Sequence, residues 1–153
     1  MTDVVDRVTR SRMMSGIRGR DTRPEILLRK GLFAKGFRFR LHDRRLPGKP
    51  DIVLPRYKAV VLANGCFWHG HNCLLFKWPS SNVKFWKAKI SRNQEVDTRA
   101  RVALKLLDWR VLTVWECALK GPRRFPLDKV LDDIEDWIRS GAESKEISCL
   151  NPG

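Results

Sequence analysis

With 153 residues, 42% of them hydrophobic, the chain has the length for one domain with a real core. Its 31 Lys and Arg against 17 Asp and Glu leave a net charge of +14, a field that favours polyanions, nucleic acid first. There is no long apolar run, no basic amphipathic anchor and no opening signal peptide, so no membrane role is expected and the cytoplasm is the expected compartment.

Residues 1–20 carry Arg7, Arg10, Arg12, Arg18 and Arg20 without a clear amphipathic period. They read as a basic arm that orders on a phosphate backbone, with a disordered solubilising tail as the alternative. A helix follows. Thr22 can cap it, Pro24 suits its first turn, and Glu25 completes a capping box. Leu27, Leu28 and Phe33 supply its apolar face, and Gly36 is a natural stop. Capping is the plainer role for Glu25, but a carboxylate there could also face an active site. Residues 37–41 alternate with period two and predict a strand. Residues 42–49 form a basic turn. Asp51 then opens a short apolar strand, and residues 58–63 predict another. A carboxylate at a strand end, beside a strand that runs into a histidine-bearing loop, is the geometry of a metal-dependent nuclease. Asp51 would there hold Mg²⁺ against a phosphate. The alternative is that Asp51 merely ends a turn.

The loop at residues 64–73 concentrates the chemistry: Asn64-Gly65-Cys66-Phe67-Trp68-His69-Gly70-His71-Asn72-Cys73. Cys66, His71 and Cys73 are donors that zinc prefers, and they leave a tetrahedral site one ligand short. Cys117, at the end of the strand predicted over 110–116, could be brought to the loop. Cys149 lies in a polar tail and is a poor candidate. A closed Cys₃His site would be structural rather than catalytic, and His69 is the histidine left over. Buried free thiols beside a surface histidine are the alternative. A long helix is predicted from residue 81 to about 107. Its first half is basic, with Lys84, Lys87, Lys89 and Arg92 around Trp86, which fits base stacking or, alternatively, core packing with Phe85. Its second half, with Val102, Ala103, Leu106 and Leu107, reads as a core-facing stripe. A closing amphipathic helix spans 127–138, and residues 141–153 are expected to be a flexible tail.

Several blocks together resemble one family: Thr9-Arg10-Ser11 with Met14, Asp21-Thr22 with Glu25, Leu46-Pro47-Gly48-Lys49-Pro50-Asp51, Gly65-Cys66-Phe67-Trp68-His69 with Cys73, Trp109-Arg110-Val111-Leu112, and Val114-Trp115-Glu116-Cys117. They are similar to the very-short-patch repair (Vsr) DNA mismatch endonucleases, over nearly the whole chain to about residue 140. The resemblance implies an α/β, restriction-endonuclease-like (PD-(D/E)XK-type) core, a mixed sheet flanked by helices, in one endonuclease domain at residues 21–140. It implies Mg²⁺-dependent nicking of double-stranded DNA 5′ to the T of a T·G mismatch, of the kind left by deaminated 5-methylcytosine. Carried over by residue, Asp51 and the Ala63 backbone carbonyl hold the magnesium, His69 is the general base, and Glu25 supports the site. Cys66, His71, Cys73 and Cys117 match a structural zinc set. Phe67, Trp68 and Trp86 match aromatics that wedge into the base stack, and Lys89 and Asn93 could read the wobble pair. The arm, with Arg10, Arg12 and Met14, would grip the other groove. The chain is expected to act as a monomer, with mismatch-repair proteins as associates. Family members carry His or an acidic residue at position 64, whereas this chain has Asn64, which cannot transfer a proton as His does. A zinc-stabilised mismatch-binding module with weakened catalysis is therefore the alternative reading.

Overall fold

In the computed structural model, residues 22–150 are described; the basic arm, with Arg10, Arg12 and Met14, lies outside them. The order is α1 (Arg23–Ala34), β1 (Arg40–Leu41), β2 (Ile52–Leu54), β3 (Ala59–Asn64), α2 (Val83–Leu106), β4 (Arg110–Trp115), α3 (Leu127–Ser140) and β5 (Lys145–Ile147). The strands form one sheet in the order β1-β2-β3-β4-β5. The β1–β2 and β2–β3 pairs are antiparallel; β3–β4 and β4–β5 are parallel.

The apolar runs in β2, β3 and β4 are nearly continuous because both faces of the sheet are covered. Ile52, Leu54, Ala59, Val61, Leu112 and Val114 point to one face and pack against Leu28 and Leu32 of α1 and Ile134, Trp137 and Ile138 of α3. Val53, Val60 and Val111 alternate to the other face and meet Leu104 of α2. The helices α1 and α3 approach closely at Gly31, where a Cβ would lie 2.3 Å from Leu131 Cδ1. Arg110 ties the C-terminal end of α3 to the sheet: its guanidinium donates to the carbonyls of Trp137 and Ile138, which lie in the helix's unsatisfied last turn, and to Tyr57.

Three expectations change. The strand predicted over 37–41 shrinks to Arg40–Leu41, because the Phe37 N–H is spent on the Leu32 carbonyl in closing α1 around Gly36, whose φ is +97°. The second half of α2 is not a core stripe: Val102 and Leu106 are 55% and 78% exposed, and Leu104 alone is fully inserted. Leu46, Leu62 and Trp109 already fill the rest of that smaller face. The expected tail is not uniformly free either, since β5 pairs with β4 and buries Ile147. No described helix is long and apolar enough to cross a membrane.

Candidate active site and metal centre

The candidate side chains collect at the end of the sheet where β3 and β4 leave it. The parallel register sets Asn64 beside Trp115, so the loop after β3 and the turn after β4 emerge together. This brings Cys117 to a loop some fifty residues earlier in the chain, a meeting that neither segment encodes locally.

On one side of this edge lies an acidic centre. Asp51 Oδ2 accepts the Ala63 N–H at 2.8 Å, which leaves Oδ1 for another partner. Glu25 is 1% exposed and points into the centre from the first turn of α1. Thr22 does occupy the N-cap, but its side chain makes no capping bond, and the Glu25 carboxylate turns to His42. His42, by sequence one residue of a basic turn, joins the two carboxylates: Nε2 lies 3.2 Å from Glu25 Oε1 and Nδ1 lies 3.9 Å from Asp51 Oδ1. Glu25, His42 and Asp51 together offer ligand atoms within 4.8 Å of one another, a set that could hold a cation. Asn64 is buried at the end of β3.

Burial pushes the Asp51 carboxyl up to about 7; the Ala63 N–H works against the rise and Glu25 adds to it. A quarter of the side chain remains accessible. The folded chain thus keeps a proton that the unfolded chain releases between pH 3.8 and about 7, and stability falls as pH rises through that window. Asp51→Asn keeps an acceptor for Ala63 but removes the titration. With no divalent cation added, calorimetry should find equal Tm near pH 4 and an advantage for the variant that grows up to about pH 7 and then levels. A constant difference across the window would contradict the buried-carboxylate reading.

Across the loop, His69 Nδ1 is hydrogen-bonded to Asp97 Oδ2 of α2, a carboxylate that sequence reasoning missed. The helix also grips the loop backbone: Asn93 Nδ2 donates to the Trp68 carbonyl at 2.8 Å and Gln94 Nε2 to the His69 carbonyl at 3.1 Å. Asn93 therefore has a loop-holding role that was not foreseen. Residues 90, 93 and 97 share one face of α2, and that i, i+3, i+7 spacing was the available signal for Asp97. A histidine held at Nδ1 by a carboxylate keeps one tautomer, with Nε2 able to accept a proton.

Behind this pair, Cys66, His71, Cys73 and Cys117 place their donor atoms within 4.8 Å of one another and could hold a metal ion. His71 Nδ1 lies 3.6 Å from both Cys66 Sγ and Cys117 Sγ. Ligand bonds of about 2.0–2.3 Å in a tetrahedron give edges of that length, so the donors fit such an ion. The His71 ring stacks on Trp115 at 4.1 Å, and the Cys66 N–H donates to Glu116 Oε1. In the metal-free chain burial raises the Cys66 and Cys117 thiols, a cost that a bound cation reverses. Cys149 is nearer than its place in a polar tail suggested: β5 delivers its N–H to Cys117 Sγ at 3.3 Å.

The aromatics form a continuous cluster at the mouth. Phe67 packs edge-on against Trp68 and Trp86, each at 5.2 Å between ring centroids. All three rings are partly exposed, so they are neither core nor free surface. A cavity of about 870 Å³ opens beside them, lined by Ala63, Trp68, His69, Lys89 and Asn93 together with Thr22 of the α1 cap.

A family described as "DNA mismatch endonuclease Vsr" matches residues 2–75. The chain is 44% identical to the DNA mismatch endonuclease Vsr of Escherichia coli (strain K12) over 147 residues, 96% of this chain and 94% of that protein. It is also 44% identical to a type II nicking enzyme of Neisseria meningitidis serogroup A, across 90% of this chain and 100% of the relative. A type II nicking enzyme of Xanthomonas oryzae is 42% identical, across 86% and 98% respectively.

Proposed function

Because the chain belongs to the Vsr family of DNA mismatch endonucleases, nucleases that act on phosphodiester bonds, we propose that it nicks one strand of a duplex 5′ to the T of a T·G mismatch. The observation that carries this reading is the meeting, around one cavity, of Ala63, which holds Asp51, of His69, which Asp97 orients, and of Phe67 and Trp68, against which Trp86 packs. The core is of the restriction-endonuclease-like kind, with a mixed sheet carrying its carboxylate at a strand end.

Asp51 and the Ala63 carbonyl would hold Mg²⁺, which supplies charge stabilisation at the scissile phosphate when bound. His69 takes the proton from the attacking water at Nε2, and Asp97 steadies the imidazolium that results. Glu25 sets the acidic centre from behind. Cys66, His71, Cys73 and Cys117 hold a structural zinc, whose four protein ligands leave it no open position for chemistry. Phe67, Trp68 and Trp86 wedge beside the mismatch, where a wobble pair lowers the cost of unstacking. Lys89 extends into the same cavity to read the pair, and the +14 charge draws the monomer to duplex DNA. Mismatch-repair proteins are the expected associates. Asn64 cannot transfer a proton as His does, but the proton-accepting role assigned here falls on His69, which Asp97 holds at Nδ1 without help from position 64.

The test is a panel of duplexes with and without one T·G pair, flanks varied, incubated with Mg²⁺. Nicking should be confined to the mismatched duplexes. Asp97→Asn should lower the single-turnover rate by about a hundredfold, since general-base catalysis contributes about 10²–10⁴-fold and depends on the tautomer. Tight binding of T·G duplex without nicking, in Mg²⁺ or Mn²⁺ and across all flanks, would favour the binding-module alternative.

A further inference from the structure

His42 has no part in the roles assigned above, yet the fold places it with care. It stands in the turn after β1 with φ +48°, a left-handed conformation uncommon for a residue with a side chain. Such outliers persist where the surroundings over-determine them, and they cluster at functional sites. Here the surroundings do so: the His42 N–H donates to the Asp51 carbonyl, and the next residue, Asp43, is buried and takes the Arg45 N–H and guanidinium to close the turn. The ring is held between two carboxylates, only 17% exposed, with Glu25 nearly sealed behind it.

We infer that His42 is a third protein ligand of the catalytic cation, binding through Nδ1, with Glu25 as the carboxylate that orients its ring. This rests on the reading of Asp51 as the cation's carboxylate. Glu25 Oε1 lies 3.2 Å from Nε2, a close contact not aligned as a hydrogen bond, so Nδ1 is the nitrogen nearer Asp51. Asp51 Oδ2 is engaged by Ala63, so Oδ1 is the oxygen turned to His42. The 3.9 Å between them is too long for a hydrogen bond. Ligand bonds of about 2.1 Å span about 3.0 Å between adjacent and about 4.2 Å between opposed donors of one ion, so this gap admits an ion between nearly opposed donors. A histidine ligand whose second nitrogen meets a carboxylate is the usual arrangement in protein metal sites, because that contact sets the tautomer and ring direction. Glu25, read locally as a helix cap, thereby acquires a specific task. The centre gains a nitrogen donor, which divalent ions softer than Mg²⁺ accept more readily.

The probe is Mn²⁺ added to the full-length, zinc-loaded protein without DNA. Affinity is measured from the loss of the free-ion electron paramagnetic resonance signal, and ligation from nitrogen couplings in pulsed spectra. The wild type should show coupling to a directly bound ¹⁴N. His42→Gln should abolish it and weaken Mn²⁺ binding by about tenfold or more, while Glu25→Gln should weaken binding and keep the coupling. Zinc content, unchanged in each variant, certifies the fold. Absence of ¹⁴N coupling in the wild type overturns the inference whatever the variants do, as does coupling that survives His42→Gln. Asp51→Ala separates the two levels. If it abolishes Mn²⁺ binding while His42→Gln leaves affinity and spectrum untouched, only the role of His42 falls. If Mn²⁺ binds as tightly without Asp51, the catalytic-centre reading falls with it.

Discussion

Asp51→Ala should leave a protein that still binds a T·G duplex but nicks it at least about a thousandfold more slowly. The size follows from the charge stabilisation that a metal supplies at a phosphate: about 4 kcal/mol lost is about a thousandfold at 1.36 kcal/mol per decade. Binding should survive because it draws on other parts of the molecule, the +14 charge and the aromatic mouth. It could even tighten, since a negative charge is removed from beside the phosphate. Single-turnover nicking in Mg²⁺, set against fluorescence anisotropy on the same duplex, separates the two effects. A variant that cuts within tenfold of wild type would mean that the cation is held elsewhere. Equal losses in cutting and binding would mean that Asp51 supports the fold rather than the chemistry.

The second large effect concerns the cysteine cluster. Cys117→Ala should empty the zinc site and lower Tm by about 10 °C or more, because structural zinc contributes directly to folding free energy and about 4 kcal/mol is worth about 8–16 °C in a chain of this size. The penalty stops short of complete unfolding because the sheet has its own core, built from α1, α3 and the β2–β4 strands. Cys149→Ala should keep one zinc per chain. Its backbone N–H, which reaches Cys117 Sγ at 3.3 Å, survives the substitution. Elemental analysis and calorimetry on both variants check the pair. Zinc-free wild type, or equal zinc loss in the two variants, would remove the Cys₃His assignment.

Much of this protein was legible because some residue types permit few roles. Three metal donors within eight residues, with Cys117 as a fourth donor at a strand end, point to a metal site, and the structure brings the four together. The apolar runs in β2, β3 and β4 announce buried strands, and the excess of 31 basic over 17 acidic residues announces a polyanion. Asp51 could be picked out because it opens such a strand. These inferences rest on local pattern, which the chain carries in its own order.

What the chain order does not carry is which segments meet. Glu25 satisfies a local capping rule completely, and only the packing of α1 against the sheet turns it inward, to 1% exposure beside His42. His42 looks like one more base in a basic turn until the β1–β2 pairing sets it over Asp51. Asp97 lies 28 residues from His69, and only the docking of α2 on the loop joins them. The same limit misplaced Val102 and Leu106: periodicity shows that a helix has an apolar stripe, but the area offered by the opposing sheet decides how much of it is covered. The sequence by itself determined the kinds of group available, namely thiols, imidazoles, a strand-end carboxylate and a basic surface. The tertiary structure alone decided their partners, because a burial or a proton-transfer pair is a property of two surfaces in contact, and the parallel β3–β4 register and the seating of α2 create those contacts across stretches of chain that no local rule spans.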